Sequence, residues 1–238
     1  VVFQNLIKQM KRAIKITLIT ILSLLIVLII AWLTANEPLP EGEPGPRAEA
    51  LADRMLLALN DSAYQNLELI SWKYPRGPHE YDWYKQKDTV EVRWDNLRVL
   101  LCTTTLDGSA FLGNEALSGS EKEKALYTAW DFFANDSFWL IAPFKVRDPG
   151  TERKIVETDR GPALLVTYTS GGVTPGDSYL WILDENDRPI AWKFWVQKIP
   201  IGGLESSWAD WQQYKGVWLG TSHEVGPLEI KLEIQNIE

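Results

Sequence analysis

Tryptophan is the residue type in this chain best placed to do chemistry, and that chemistry is non-covalent. The chain holds 12 tryptophans, 11 of them beyond residue 36. Trp72, Trp83, Trp94, Trp181, Trp192, Trp195, Trp208, Trp211 and Trp218 fall in segments of strand character. Large amphipathic rings suit a site that grips an apolar chain beside a few polar atoms. Any one of them is also accounted for as core or sheet bracing, because aromatics favour pleated surfaces. As a set on a curved sheet, they imply a cavity that something must line.

Residues for bond-breaking chemistry are sparse. His79 and His223 are the only histidines. Strand alternation puts His79 on the opposite face from Glu80 and Asp82, and no His or Cys pair has finger-like or zincin spacing, so no metal set is expected. Glu80 and Asp82 share a face on which general acid–base work is feasible. In so acidic a chain such pairs read as solvated surface. There is no Gly-x-Ser-x-Gly elbow. Ser118-Gly119-Ser120 reads as a helix cap and Ser170-Gly171-Gly172 as a loop. Cys102 closes the apolar run from Leu97 and reads as a small buried hydrophobe, not a nucleophile. No glycine loop suited to phosphate is present. The expectation is a non-enzyme with no cofactor.

The elements that position these residues begin with Ile16 to Leu33, an apolar run relieved only by Thr17, Thr20 and Ser23. As a helix, ~18–20 apolar residues match the ~30 Å hydrocarbon core of a bilayer. Lys8, Lys11, Arg12 and Lys15 precede the run, and the first acid is Glu37. The positive-inside rule then makes residues 1–15 cytoplasmic, 16–34 transmembrane, and the remainder extracytoplasmic, in a periplasm-like space. Trp32 sits where an interfacial anchor belongs. A cleaved secretory signal is the alternative, but its apolar core is usually ~7–15 residues, and Leu33 occupies a position where cleavage after Ala35 prefers a small residue.

Beyond residue 36 the chain carries 20 Lys and Arg against 32 Asp and Glu, a balance of −12. That charge disfavours nucleic acid and anionic headgroups as partners held by bulk electrostatics. One cysteine permits no internal disulfide. The stretch NEPLPEGEPGPR, with four prolines and three glutamates, makes residues 35–46 an extended solvated linker. At ~3.1 Å per residue it reaches roughly 40 Å.

Residues 47–238 read as one domain. Leu51, Ala52, Met55, Leu56 and Leu59 form the stripe of a helix from Ala48 that Asn60-Asp61 ends. A second helix is expected from Ser120, with Glu123 completing a capping box. Leu126, Ala129, Trp130 and Phe133 form its stripe, and Asn135-Asp136 is expected to stop it. Elsewhere period-two alternation prevails: Leu228, Ile230, Leu232 and Ile234; Val90, Val92 and Trp94; Ile190, Trp192, Phe194 and Val196; Leu164, Val166 and Tyr168. This marks antiparallel strands with one apolar face. About nine to eleven strands are expected. The resulting fold class is α+β: a strongly curved, open half-barrel with both helices on its concave side, preceded by one transmembrane helix.

This order of elements resembles the LolA/LolB-like lipoprotein-carrier superfamily over about residues 47–238. The likeness rests on the 51–59 helix followed by Leu67 to Trp72, and on TAWDFFANDSFWLIAPFKVRDPG (128–150). DSYLWILDENDRPIAWKFW (177–195) and WADWQQYKGVWLGTSHE (208–224) add to it. The resemblance implies an apolar cavity between sheet and helical lid that receives acyl chains. It departs from the family in its anchor, since a transmembrane helix replaces both the freely diffusing carrier and the lipidated cysteine. Leu126, Trp130 and Phe133 are the expected lid residues, facing Trp181, Trp192 and Phe194 on the sheet. The expected partner is a lipid or acyl chain, with other membrane proteins reached through the transmembrane helix. The alternative is a non-catalytic subunit docking on a larger membrane complex, for which the interior would be filled.

Overall fold

The computed structural model describes residues 2–171 and 174–238. Val1 of the expected cytoplasmic segment and Gly172 of the expected loop lie outside them. Helix α1 (Val2–Ala35) is continuous for 34 residues, so the basic segment rides on the same helix as the apolar run. It is long and apolar enough to cross a membrane, and its described apolar side chains lie exposed.

The proline-rich stretch is a docked strap, not a free solvated spacer. Glu43 forms an antiparallel bridge with Ile155, each backbone N–H donating to the other carbonyl at 2.9 Å. Glu37 pairs with Lys193 at 2.7 Å and Arg47 with Glu157 at 2.6 Å. The reason lies beneath it. Val156, Ala163, Leu165, Leu180, Ile182 and Ala191 form a second buried apolar cluster, separate from the main core, on the sheet face the strap crosses. A small hollow of about 260 Å³ remains there between Pro38, Pro40 and the strands. Gly42 passes so close that a Cβ would lie 2.9 Å from both the Ile155 carbonyl oxygen and Lys154 Cβ. Gly42→Val should therefore lift the strap, increase binding of the dye ANS and speed proteolysis within residues 36–45. Unchanged dye binding and cleavage would show that the strap is not seated by this contact.

Helix α2 (Pro46–Leu59) buries all five stripe residues plus Ala48. It ends as expected at Asn60, whose left-handed conformation (φ 60°) lets its N–H bond back to Leu56 and Leu57. Asn60 also caps a short unexpected helix, α3 (Asp61–Gln65), by accepting from the Ala63 N–H.

Helix α4 (Gly119–Ile141) corrects the reading at both ends. Its N-cap is Ser118, without a side-chain cap, so no Ser120–Glu123 capping box forms. Nor does Asn135-Asp136 stop it. These residues break helices when their side chains compete for nearby backbone. Here Asn135 bonds back within the helix to the Asp131 carbonyl at 2.5 Å, and Asp136 is engaged by another element. The helix runs on to Ile141, five residues past Asp136.

Three antiparallel sheets surround these helices, and none closes on itself. The first is a meander of β1 (Leu69–Tyr74), β2 (His79–Tyr84), β3 (Thr89–Trp94), β4 (Leu97–Cys102), β5 (Gly108–Leu112) and β6 (Glu115–Ala116), with β15 (Glu233–Ile237) added beside β1. The second is β7 (Thr151–Thr158), β8 (Gly161–Tyr168), β9 (Ser178–Leu183), β10 (Pro189–Trp195) and β11 (Leu204–Ser207). The third is β12 (Ala209–Tyr214), β13 (Val217–Val225) and β14 (Leu228–Lys231). Single residues carry the chain between sheets. Trp208 separates β11 from β12 while its N–H donates to Ile190 at 2.8 Å, and Leu232 separates β14 from β15 while its N–H donates to Thr221 at 2.8 Å. The described residues hold fifteen strands, above the nine to eleven expected, and these two breaks and the two-residue β6 account for three of them.

Alternation holds inside strands and fails at their irregularities. Val90, Val92, Leu164, Val166, Trp192 and Phe194 are buried. Ile190 is 43 % exposed because the β9–β10 register shifts between Pro189 and Ala191. Leu228 is exposed at the turn-side end of β14. One main core joins Met55 and Leu59 of α2 and Leu140 of α4 to Trp72, Leu101, Trp181 and Leu219 of the three sheets.

Candidate functional site

The site is built on α4. Trp130, Phe133, Ala134, Ser137, Phe138 and Ile141 recur at helical spacing and line one cavity of about 490 Å³. Tyr168 of β8, Tyr179 of β9 and Trp192 and Phe194 of β10 line it from the second sheet. The period-two rule puts Trp192 and Phe194 on the same strand face. Phe138 reaches across, with ring centroids 5.0 Å from Tyr179, 5.4 Å from Tyr168 and 5.9 Å from Trp192. Tyr179 stacks on Trp192 at 4.7 Å. Aromatic pairs at these separations hold the wall rigid.

The lining is apolar in its body and polar at its edge. Lys145 pairs with Asp148, and Lys198 pairs with Asp131 at 2.8 Å, so each of these rim cations has a carboxylate partner. The Asp177 carboxylate, also on the lining, accepts from Thr174 Oγ1 and from the Gln197 N–H at 2.9 Å. Three lining residues carry buried polar atoms with no protein partner: Trp83 Nε1, Tyr168 Oη and Trp192 Nε1. Burial pushes the Tyr168 hydroxyl well above its ordinary pKa and raises that of Tyr179 as well, so both stay neutral donors.

A buried polar cluster fixes α4 against the first sheet. Asp136 Oδ2 accepts from His79 Nδ1 at 2.7 Å and from the Tyr81 hydroxyl at 2.6 Å. All three residues are buried. The His79 ring stacks on Phe132 at 3.9 Å, and Tyr81 stacks on Trp72 at 4.6 Å. Burial raises the Asp136 pKa above the ordinary carboxylate value, against the opposing pull of its two hydrogen bonds. Asp136 faces β2 while Ser137 and Phe138 face the cavity, so the cluster sets the helix rotation that presents the lining. His223 plays a comparable packing part on β13. Its Nδ1 donates to the Ser207 carbonyl at 3.1 Å, its ring meets Trp208 and Trp139, and burial pushes its pKa down to about 4.

The six residues expected at the site are distributed as follows. Trp130, Phe133, Trp192 and Phe194 lie together on the cavity lining. Leu126 is buried one turn before it, and Trp181 lies behind it in the core, 4.9 Å from Trp192 and 5.2 Å from Trp208. Ala134, Ser137, Phe138 and Ile141 were not anticipated, although they continue the i, i+3, i+4 pattern of Trp130 and Phe133. Cys102 is not a buried hydrophobe: it is half-buried at the end of β4, where alternation turns Leu101 inward and the thiol outward. Its sulfur lies 3.2 Å from Thr104 Oγ1, and hydrogen bonds from Thr104 and Thr105 bring its pKa down to about 7. Among the described residues no cluster of His, Cys, Asp and Glu has the makings of a metal site.

No family model and no curated protein matches the chain. Among solved structures the chain is similar to the crystal structure of a DUF1329 family protein from Desulfovibrio piger. The two are 10% identical with a TM-score of 0.42, over 82% of this chain and 93% of the other.

Proposed function

We propose that the chain is a single-pass membrane protein whose folded domain, on the far side of the membrane from residues 1–15, binds an acyl chain of a lipid or lipidated protein. The domain is read as a LolA/LolB-like open half-barrel, its three joined sheets curving round α2 and α4, and it acts without catalysis. The observation that carries this reading is the aromatic cavity beside α4. Its volume of about 490 Å³ lies within the ~300–1,000 Å³ range of small-ligand pockets. A subunit serving only to dock on a larger complex has no use for an unfilled interior of that size.

Apolar transfer drives such binding at ~0.8 kcal/mol per buried methylene, about fourfold in affinity for each one. The full chain held in amphipol should bind cis-parinaric acid, and saturated fatty acids should displace it. Displacement should strengthen about fourfold per methylene and level off once the cavity is full. Absence of displaceable binding, or affinity indifferent to chain length, would overturn the reading.

A further inference from the structure

The loop joining β10 to β11, residues 196–203 (VQKIPIGG), belongs to two places at once. On one side Val196, Lys198 and Ile199 line the cavity, and Lys198 Nζ pairs with Asp131 of α4 at 2.8 Å. On the other side the loop is tied to the end of α1. Trp32 Nε1 donates to the Pro200 carbonyl at 2.7 Å, and the Gly202 N–H donates to Asn36 Oδ1 at 2.8 Å. The Glu37 N–H returns a bond to the Gly202 carbonyl at 2.9 Å, while Trp195 Nε1 donates to the Glu37 carbonyl at 2.8 Å. The fit leaves no space for a side chain at Gly202, where a Cβ would lie 2.9 Å from the Glu37 carbonyl oxygen and against the Trp195 ring.

Depth follows from these bonds. A tryptophan at the end of an apolar span rests at the boundary of headgroups and acyl chains. A direct hydrogen bond from Trp32 sets Pro200 at that same level. The neighbouring Ile199 is 38 % exposed, and the tip Ile199-Pro200-Ile201 carries no charge. Nearby charges are paired, Lys193 with Glu37 and Lys198 with Asp131, so an acidic domain meets the surface here with a balanced patch.

We propose that loop 196–203 lies in the membrane interface at the end of α1 and forms the gate through which an acyl chain of a bilayer lipid enters the cavity. This rests on the ligand reading above and adds its route: the occupant comes from the leaflet beside α1, and the cavity mouth opens onto that leaflet. The opposite end of β10, at the Asp184–Arg188 turn, faces away. Seven strand residues at ~3.3 Å each put it roughly 20 Å from the loop.

The test uses the full chain with Cys102→Ser, reconstituted in phosphatidylcholine vesicles and labelled with NBD at Ile199→Cys or, for comparison, at Glu185→Cys. The label at 199 should be quenched by doxyl groups carried on the lipid and shielded from iodide, and the label at 185 should show the reverse. In unlabelled chain, Ile201→Asp, on the same uncharged tip but off the cavity lining, should slow uptake of a parinaroyl phosphatidylcholine from vesicles at least tenfold while leaving equilibrium binding of cis-parinaric acid in amphipol unchanged. A label at 199 open to iodide overturns the gate, even with acid binding intact. So does a lipid-shielded label with an unchanged uptake rate. Failure of the wild-type chain to bind cis-parinaric acid overturns the ligand reading itself and the gate with it.

Discussion

Asp136→Ala should destabilise the folded domain by about 3 kcal/mol, read as a lower urea midpoint with an unchanged slope. The substitution removes the acceptor shared by His79 Nδ1 and the Tyr81 hydroxyl and leaves both buried donors without a partner. Each orphaned donor costs about 1–3 kcal/mol. The burial that raises the Asp136 pKa shows that the carboxylate itself is costly to keep charged, so part of the loss is returned. For the same reason Tyr81→Phe in the Asp136→Ala background should recover about 1 kcal/mol, a coupling that a double-mutant cycle isolates. Asp136→Asn keeps an oxygen acceptor and should cost less. It also separates the pH dependence. With the folded pKa above the unfolded one, the native state holds a proton that the unfolded state has lost, and stability falls as pH rises through the interval between them. Wild-type stability minus that of Asp136→Asn should therefore decline as pH climbs above the ordinary carboxylate range. A flat difference would contradict the burial of the charge.

Ala134→Trp should lower affinity for an acyl probe on the order of a hundredfold while leaving the fold in place. Ala134 is half-buried on the cavity-facing stripe of α4, between Trp130 and Phe138. An indole there projects into the space an acyl chain would fill. Excluding about four methylenes forfeits about 3 kcal/mol of transfer free energy, which is that hundredfold. Tryptophan costs the helix only about 0.5 kcal/mol relative to alanine, so stability should change little. Unchanged probe affinity in a folded Ala134→Trp variant would place the binding elsewhere.

Where local pattern decides structure, the sequence was sufficient. The α2 stripe, the apolar helix α1 and the inward residues Val90, Val92, Leu164, Val166, Trp192 and Phe194 were readable from apolar spacing, because each period is set by backbone geometry alone. Four of six expected site residues share the cavity for the same reason. What escaped detection depends on partners distant in sequence. Asp136 reads as a helix stop until His79 and Tyr81, 57 and 55 residues away, claim its carboxylate. Once that stop is accepted, Ser137, Phe138 and Ile141 fall outside the helix and drop from the site. The strap escaped for a similar reason. Proline and glutamate mark a solvated spacer, and the two-sided apolar runs ALLV (163–166) and YLWIL (179–183), which called for a cover on the outer face, were read for one face only. Trp208 and Leu232 look like ordinary strand residues, and only the pairing of their neighbours shows that the chain changes sheets there.

The most direct test of acyl binding is native mass spectrometry of the full chain released from phosphatidylcholine–phosphatidylglycerol nanodiscs. Collision energy is raised until lipids lying only against α1 are stripped. The wild-type chain should then retain one lipid mass and Ala134→Trp should retain none. A wild-type chain that emerges bare, or an Ala134→Trp chain that holds its lipid equally well, would contradict an acyl chain seated between α4 and the Trp192 face of the sheet.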